Sequence, residues 1–503
     1  MIVRYSNHKN RWHNCFFMAQ PFFDTLKRLS NQLKFMDEPS ILVRWWFLRG
    51  LGLIYLSAFW SMMTQIIGLI GANGILPLQE RLSSISQVNP DEKYGYFPTL
   101  FWFGASDSAL IGVCIAGVIA AFLVILNRVI RVALIVCFAC YLSITTAGQE
   151  FTSFQWDVLL LESGFLAIFL TWESPITVWL YRLLIARFMF MSGVVKIASG
   201  DPNWANLTAL NYHYLTQPLP SPLGYYAYFL PEWWHRLCTA GVLYIELPIP
   251  FLVFLPRPFR LFAAGCFILL QTSIILTGSY TFFNLLTLLL CLFLFDDRDL
   301  AKITPKGLRE RLMQSHRPAT AFANLCAMVW AGFVALILAT HVWMAQTQQL
   351  PIKPLYGLLQ MTAVFGVINN YGPFAVMTTV RDEIIIEGSN DGEHWLEYGF
   401  RYKPGDVKKS LSWNIPHQPR LDWQMWFAAL SGSPQPYGWF ERFMQRLQEG
   451  SPEVLALLSH DPFLAQPPTY LRAYLYRYTY TQPERRKLTR QVWNREKLRY
   501  YWP

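Results

Sequence analysis

Long apolar runs are the feature that most constrains the fold of this chain of 503 residues. A helix needs about 20 consecutive apolar residues to cross the hydrocarbon core of a bilayer. Runs that approach this length predict about nine transmembrane helices. They lie near residues 50–71, 108–126, 130–146, 154–171, 177–196, 236–255, 260–277, 280–296 and 321–343.

The composition of the chain agrees with a protein that is solvated by lipid. Only 15% of the residues are charged and 53% are hydrophobic, whereas ordinary soluble domains carry about 25% charged residues. Charge is costly in hydrocarbon, so we predict a polytopic α-helical membrane protein. The lipid bilayer is therefore one of its expected partners. The net charge of +10 comes with no basic stripe on a recognition fold, so no nucleic-acid partner is expected.

Basic residues predict the orientation of the helices, because cytoplasmic loops retain Lys and Arg. Residues 1–45 carry charges throughout and are predicted to be a cytoplasmic segment rather than a signal peptide. Alternation of the helices then keeps the basic loop 297–320 on the same side of the membrane. With an odd number of helices, residues 344–503 are expected on the outer side.

The last third of the chain changes character and predicts a β-rich extracytoplasmic domain. Predicted strands cover 376–380, 383–387 and 395–402, and a turn is expected at 389–392. A helix is expected near 438–460, before a basic end. The predicted divisions are a cytoplasmic N-terminal segment, a transmembrane domain, a β-rich domain, and a helical and basic tail: 1–45, 46–343, 344–437 and 438–503.

Five of the ionisable residues that fall inside the predicted helices form a predicted polar cluster and are the first candidates for a functional site. They are Asp157, Glu162, Arg187, Lys196 and Glu246. Helix rise places Arg187 and Glu246 at a similar depth, about 15 Å below the outer surface, so these two are expected to pair. Two interpretations stay open for the cluster: ion pairs that hold the helices together, or a pocket that opens outward and binds a substrate.

The outer loop that follows the fifth run is long, aromatic and low in charge. It contains Trp204, Tyr212 and His213, and we expect it to dock over the charged cluster as a cap. His213 has no second His, Cys or carboxylate spaced to complete a metal site, so no metal is predicted. The chain also lacks a phosphate loop, a nucleophile elbow and any other cofactor motif, so no cofactor is predicted.

Several long motifs resemble the lipase maturation factor family, over roughly residues 45–503. The resemblance begins in the run 154–166 and continues in 191–196, 201–204, 211–214, 217–220, 371–374 and 381–384, and then through 400–405 and 417–424. Residues that carry it outside the charged cluster are Gln155, Trp156, Trp204, Tyr212, His213, Arg381, Asp382, His417, Gln418, Arg420, Asp422 and Trp423.

The resemblance implies a membrane-embedded folding factor that helps secreted lipases reach an active, assembled state, with a client lipase as partner and no catalysis of its own. Animal members of the family reside in the endoplasmic reticulum membrane. The chain shows no retention signal, so a bacterial inner membrane is favoured, with the C-terminal domain in the periplasm. If the chain is eukaryotic, the endoplasmic reticulum membrane is expected instead.

A shorter stretch is similar to the vitamin K-dependent γ-carboxylase family and its bacterial relatives. Residues 190–196, followed by Trp204, place an aromatic residue, small residues and Lys196 at the end of a membrane helix. That resemblance implies a role for Lys196 as a base in a quinone- or lipid-modifying enzyme, which is the alternative function. Nearby Asp157 and Glu162 would oppose this role, because they stabilise the charged form of a lysine.

Overall fold

The computed structural model describes residues 40–88, 90–347, 349–433, 438–463 and 466–503. The predicted cytoplasmic segment lies almost entirely outside these residues, so the structure does not test it.

Seven helices in the described part of the chain are long and apolar enough to cross a membrane. Each overlaps one of the predicted runs, which identifies a polytopic helical membrane protein. These helices are α1 (Ile41–Met63), α2 (Asp107–Ile125), α3 (Ile130–Ala147), α5 (Pro175–Ala198), α6 (Glu232–Glu246, extended by the 3₁₀ turn Ile249–Phe254), α7 (Arg257–Thr277) and α9 (Ala321–Thr347).

The other two predicted runs form shorter helices, so the count of nine is not confirmed. They are α4 (Gln155–Leu170) and α8 (Phe283–Leu290, followed by the 3₁₀ turn Cys291–Leu294). At 16 residues, α4 is about 24 Å long, which is less than the thickness of about 30 Å of a hydrocarbon core. Both helices contribute buried residues to the interior of the bundle.

The first membrane helix begins at Ile41, earlier than the predicted residue 50. Arg44 and Arg49 excluded this part from an apolar run, yet both are buried in the protein. The start of α1 is held by the carboxylate of Asp297, which accepts the backbone N–H groups of Ile41 at 2.7 Å and Leu42 at 2.9 Å. A carboxylate at this position satisfies N–H groups that the helix itself leaves without partners.

Short helices fill the connections between the long ones. They are Ile66–Ile70, Leu78–Val88, Lys93–Tyr96, the 3₁₀ turns Leu100–Phe103 and Gln149–Thr152, Pro202–Ala205, Ala209–Thr216, Pro222–Tyr228, Asp297–Leu300, Lys306–Ser315, Pro452–Leu455 and Pro483–Thr489.

The C-terminal part of the chain contains one four-stranded antiparallel sheet in the order β2-β1-β3-β4. Its strands are β1 (Arg381–Ser389), β2 (Leu396–Glu397), β3 (Tyr470–Tyr480) and β4 (Trp493–Trp502). The helices α11 (Arg420–Ser431) and α12 (Gly438–Gln448) pack against this sheet, and α10 (Lys353–Val364) precedes it in the chain and packs near α9. We call residues 381–503 the sheet domain and residues 365–380 the connecting segment.

The predicted turn at 389–392 joins β1 to β2. The Ser389 hydroxyl accepts the N–H of Gly392 at 2.9 Å, and Gly392 has a φ of +77°. Asp391 accepts the N–H groups of Glu393 and His394, both at 2.8 Å. These side chains replace backbone partners in a tight turn, which is why Ser, Asp and Gly predicted it.

Three details of the sheet differ from the prediction. Residues 376–380 are not a strand, and the predicted strand 395–402 is reduced to Leu396–Glu397. The tail 438–503 supplies β3 and β4, which are half of the sheet. Charged residues along β4 concealed this strand, because they lie on an exposed sheet edge, where charges prevent pairing with other chains.

A continuous cluster of buried apolar side chains joins the membrane helices to the sheet domain. It runs from Leu42 and Phe47 in α1 to Leu475 in β3 and Tyr501 in β4. The sheet domain therefore packs directly on one end of the membrane domain, and the polar residues considered next lie at this junction.

Candidate functional site

The five ionisable residues predicted in the membrane helices all lie near the junction with the sheet domain, and each belongs to an ion pair. The pairs are Asp157–Arg420, Glu162–Arg187 and Lys196–Glu246. All six residues are buried. Because an unpaired charge is expensive in this environment, the pairing accounts for their presence inside the protein.

Asp157 at the start of α4 binds Arg420 at the start of α11. The Arg420 guanidinium donates to both carboxylate oxygens, at 2.9 and 2.8 Å, and also to the Phe151 carbonyl at 2.6 Å. The Tyr141 hydroxyl donates to the same carboxylate at 2.5 Å. Asp157 is fully buried, so this bidentate pair connects a membrane helix to the sheet domain in a place that water does not reach.

Glu162, one turn deeper in α4, pairs with Arg187 of α5. The predicted pair of Arg187 with Glu246 is therefore wrong. Glu246 lies against Gly193 of α5, which is six residues, or about 9 Å along the helix, from Arg187. The predicted equal depth was therefore wrong as well, and the rotation of each helix also decides which side chains meet. The second Glu162 oxygen accepts the Tyr371 hydroxyl at 2.7 Å and the Asn369 backbone N–H at 3.1 Å, so the connecting segment is bound here too.

Lys196 at the end of α5 pairs with Glu246 at the end of α6, with Nζ 2.8 Å from Oε2. Its ammonium group also donates to the carbonyls of Ser192 at 2.9 Å and Pro373 at 3.3 Å. An ammonium has three N–H donors, and three acceptors surround this one. A general base needs a free lone pair, so this arrangement does not suit Lys196 for that role.

The outer loop docks over this end of the membrane domain, as predicted for a cap. Asp201 accepts the N–H of Met377 at 2.6 Å, and Trp204 donates to the Phe374 carbonyl at 3.1 Å. Tyr212 packs in the same apolar group as Trp204 and Met377. The partner of the loop is the connecting segment, so the cap and the C-terminal part of the chain hold each other.

Arg381, the first residue of β1, fixes the second half of the loop. Its guanidinium donates to the carbonyls of Leu215 at 2.9 Å, Gln217 at 2.5 Å and Pro218 at 3.0 Å. Glu383 neutralises it at 2.6 Å and also binds Lys403 at 3.0 Å.

Asp382 points to the other face of the sheet and pairs with Arg477 of β3. These two residues are opposite each other in the antiparallel register. Alternation along the strand therefore separates a residue that anchors the loop, Arg381, from one that stabilises the sheet.

His417 and Gln418 connect the sheet domain to the end of α1. The His417 ring nitrogen Nδ1 lies 3.0 Å from the Ser61 hydroxyl, and Gln65 donates to the Gln418 carbonyl at 2.8 Å. Burial lowers the pKa of His417 to about 4, and the charges of Arg401 and Arg420 act in the same direction. This histidine is therefore neutral at pH 7.

Asp422 and Trp423 continue the contact on α11. Asp422 accepts the N–H groups of Tyr402 and Lys403, both at 2.8 Å, and burial raises the pKa of its carboxyl. Trp423 packs edge-on against Trp156, with ring centroids 4.7 Å apart. Gln155, beside Trp156, accepts the N–H of Gly372 at 3.4 Å.

Two neighbouring hollows lie at the junction. A cavity of about 100 Å³ is bounded by Lys196, Trp204, His213, Glu246, Asn284 and Phe374. A groove of about 390 Å³ lies beside it and is mainly aromatic; its residues include Phe154, Trp156, Trp423, Trp426, Phe427 and Leu430. The two share Tyr280, Phe283, Pro373 and Phe374 as a wall. We call the second one the aromatic groove.

His213 faces the cavity from the cap. Burial lowers its pKa to about 4, and the charge of Lys196 adds to this effect. Its Nε2 lies 3.3 Å from the Tyr280 hydroxyl. A neutral histidine with a tyrosine partner fits a packed, hydrogen-bonded core residue, and no group of three or more His, Cys, Asp and Glu residues in the described chain could hold a metal ion.

Sequence reasoning missed Tyr141 and Asn369, which complete the junction, and it did not single out Glu383 and Lys403, although both lie in the motif runs 381–384 and 400–405. Glu383 and Lys403 are both about 1% exposed as side chains. They stand in a part of the chain that we read as an exterior domain, where charges are ordinary. The sequence could have indicated burial for Glu383 alone, because this residue lies among apolar residues along β1.

Comparison with known proteins agrees with the motifs. Residues 42–302 match the family described as lipase maturation factor transmembrane domain, and residues 367–503 match lipase maturation factor C-terminal domain. No solved structure matches the chain.

Named relatives are similar along nearly the whole chain. Lipase maturation factor 2 of Gallus gallus is 35% identical over 93% of this chain and 82% of the relative. Lipase maturation factor 2 of Homo sapiens is 33% identical, over 92% and 82%. Lipase maturation factor 1 of Homo sapiens is 32% identical, over 91% and 86%. The two matched regions and these relatives show that the chain belongs to the lipase maturation factor family.

Proposed function

We propose that this protein is a membrane-embedded maturation factor that helps exported lipases reach their active form. The name shared by relatives that align over nine-tenths of the chain is the observation that carries this proposal. The family also matches both the membrane domain, over residues 42–302, and the C-terminal region, over residues 367–503.

The aromatic groove is our candidate for the surface that contacts the client lipase. A client that is not yet folded exposes apolar side chains, and aromatic residues supply large contact areas for them. The groove is built from both the membrane domain and the C-terminal part of the chain. At its rim, Val376 is 66% exposed and Leu430 is 46% exposed, so apolar surface is available to a partner.

We further propose that the sheet domain lies on the extracytoplasmic side, where an exported lipase would be met. Support comes from the basic loop 297–320, because loops that are rich in Lys and Arg stay in the cytoplasm. Residues 302–317 contain five basic residues, Lys302, Lys306, Arg309, Arg311 and Arg317. The compartment would be the periplasm of a bacterium or the lumen of the endoplasmic reticulum of a eukaryote.

The alternative of a quinone- or lipid-modifying enzyme is not favoured by the contacts of Lys196. Its ammonium group is held by Glu246, Ser192 and Pro373, and it lies 5.3 Å from the centroid of the Trp204 ring. All of these contacts stabilise a cation.

The test of the proposed function is the specific activity of an exported lipase, expressed per milligram of lipase antigen, in cells with and without this gene. We expect activity per antigen to fall when the gene is absent and to be restored by the wild-type gene. Placing a charge at the rim of the groove, with Val376→Asp and Leu430→Asp, should reduce the restored activity by about fivefold or more, because a buried charge in an interface is costly.

Leu488→Asp is the matched control, because Leu488 is 86% exposed on the helix Pro483–Thr489 and does not line the groove. It should restore lipase activity fully. Unchanged lipase activity per antigen without the gene would reject the maturation function, whereas full activity of the rim variants would reject only the groove.

A further inference from the structure

A second site lies at the opposite end of the membrane domain, around the start of α1. Ser61, near the end of α1, contacts His417 of the sheet domain. Arg44 and Arg49 lie in the first part of the same helix. With a rise of about 1.5 Å per residue, Arg44 is about 25 Å from Ser61 along the helix axis. The two arginines therefore lie near the membrane surface that is remote from the sheet domain.

A pocket of about 170 Å³ opens beside these arginines. Its polar side comprises Arg44, Arg49, Asn127, Glu173 and His316. Its apolar side comprises Leu48, Ile130, Leu170 and Leu312. A hollow with cationic groups on one side and aliphatic walls on the other matches an amphipathic ligand with an anionic head.

The arginines have hydrogen-bonding groups that no described residue uses. Arg44 and Arg49 are each 8% exposed, and the Nε of Arg44 and the Nη2 of Arg49 are buried without an acceptor in the described part of the chain. Leaving a buried N–H of a charged group without a partner is energetically costly. Such groups need a ligand or ordered water.

Glu173 and Asp297 lie close enough to Arg44 to balance part of its charge. Neither of these carboxylates accepts the N–H of Arg44 Nε or of Arg49 Nη2. The Glu173 carboxylate lies 2.7 Å from Nδ1 of His316. Asp297 accepts the backbone N–H groups at the start of α1. The unused N–H groups of Arg44 and Arg49 are therefore available to an external anion.

We propose that this pocket binds the phosphate group of a phospholipid from the leaflet remote from the sheet domain. The planar guanidinium of arginine donates two parallel hydrogen bonds that fit phosphate oxygens. Basic pockets between transmembrane helices are suited to anionic headgroups. The apolar walls would accept the first carbons of an acyl chain, which a free phosphate ion would leave empty.

The helix Lys306–Ser315 supports a position at headgroup level. Leu312 of this helix lines the pocket, whereas Met313 is 42% exposed. The helix also carries Lys306, Arg309 and Arg311. Short helices with basic residues and exposed apolar side chains lie in the interface between water and lipid, where they favour anionic lipids.

The experiment measures thermal unfolding of the purified full chain in a mild detergent with three additives. These are dioctanoyl phosphatidylglycerol, dioctanoylglycerol (which lacks the phosphate) and inorganic phosphate, at equal concentrations. We expect only the phospholipid to raise the unfolding temperature. An equal effect of dioctanoylglycerol would overturn the proposal, and so would an equal effect of inorganic phosphate, which would show a free-anion site instead.

The double variant Arg44→Gln/Arg49→Gln should bind the phospholipid roughly tenfold more weakly, because charge-assisted hydrogen bonds are lost. Arg128→Gln is the control, since Arg128 is exposed close to this end of the bundle, and it should respond as the wild type does. Equal responses of the double variant and the wild type would reject the site. If the double variant does not fold, the comparison of the three additives on the wild type still shows whether the protein binds a phospholipid.

Discussion

At the scale of single residues, the charged side chains of the junction determine where the sheet domain is placed. Asp157, Glu162 and Lys196 each bind a group from the C-terminal part of the chain. Buried ion pairs add little net stability, since desolvation offsets most of their attraction, but breaking one of them is costly. Their contribution here is to position the C-terminal part of the chain, because each of the three groups is bound to a different residue of it.

The pair Asp157–Arg420 provides the sharpest test of this view. Asp157→Leu should lower the free energy of unfolding by about 3–5 kcal/mol, because it leaves the Arg420 guanidinium buried without its partner. The double variant Asp157→Leu/Arg420→Met should lose less than this single variant, since neither charge remains. Denaturant unfolding of the purified protein measures all three forms.

Arg236→Met is the control for this comparison, because it removes an exposed pair with Glu232 whose side chains are 53% and 59% exposed. Its effect should stay below about 1 kcal/mol. If the double variant is as unstable as Asp157→Leu, or less stable, the pair is not the source of the loss.

At the scale of elements, the contact between α1 and the segment before α11 depends on a neutral histidine. His417 has a pKa of about 4 in the folded protein, and its ordinary value is 6.5. The unfolded chain therefore binds a proton at a higher pH than the folded chain does. The stability that neutral His417 contributes is complete above about pH 6.5 and is lost as the pH falls from there towards 4.

Thermal unfolding between pH 7.5 and pH 4.5 tests this dependence. The unfolding temperature of the wild type should fall over this range, and His417→Gln should fall less, because its side chain takes up no proton. His394→Gln should behave like the wild type, since the His394 side chain is 85% exposed. If His417→Gln shows the full decrease, protonation of His417 is not the cause.

Two strands of the sheet, β3 and β4, were not predicted from the sequence. β3 has a tyrosine at every second position from Tyr474 to Tyr480, which is the period of two of a strand, and the prediction missed this signal. β4 is exposed along most of its length, and its charged residues conceal that period, so we read it as a basic tail. Arg495 in β4 lies against Glu397 at 2.6 Å, so part of this charge is used inside the sheet domain.

At the scale of the whole molecule, the sheet domain and the basic helix Lys306–Ser315 lie at opposite ends of the membrane domain. Our proposed orientation places the sheet domain outside the cytoplasm and the helix within it. Cysteine labelling can test on which side of the membrane each part lies. The sequence has no cysteine after Cys326, so the sheet domain has none of its own. A cysteine introduced in each part would then report its own side of the membrane.

Lys408→Cys and Ser315→Cys are suitable probes, since both residues are exposed. If the chain is bacterial, a maleimide that cannot cross membranes should label Lys408→Cys in intact cells with a permeable outer membrane. If the chain is eukaryotic, the same reagent should label Lys408→Cys in microsomes only after they have been opened. Ser315→Cys should react only from the cytoplasmic side. The wild type gives the background of the native cysteines, and the reverse pattern would overturn the orientation.

The sequence by itself determined the class of the protein and the position of most membrane helices. A long apolar run in lipid has few possible structures, because its backbone N–H and C=O groups find no water to bind. A helix pairs all of these groups within the run itself. It also identified the turn at 389–392 and the motif residues that meet at the junction, such as Trp156 and Arg420. These signals are local, and each depends on residues that are close together in the chain.

Only the tertiary structure decided which charges pair. It also showed that the basic end of the chain completes the sheet. Arg187 meets Glu162 and not Glu246, because helix rotation and the approach of the connecting segment are set by packing. Asp157 and Arg420 are 263 positions apart in the sequence. Contacts over such a distance follow from how the whole surface of each element fits its neighbours, and no local pattern encodes that.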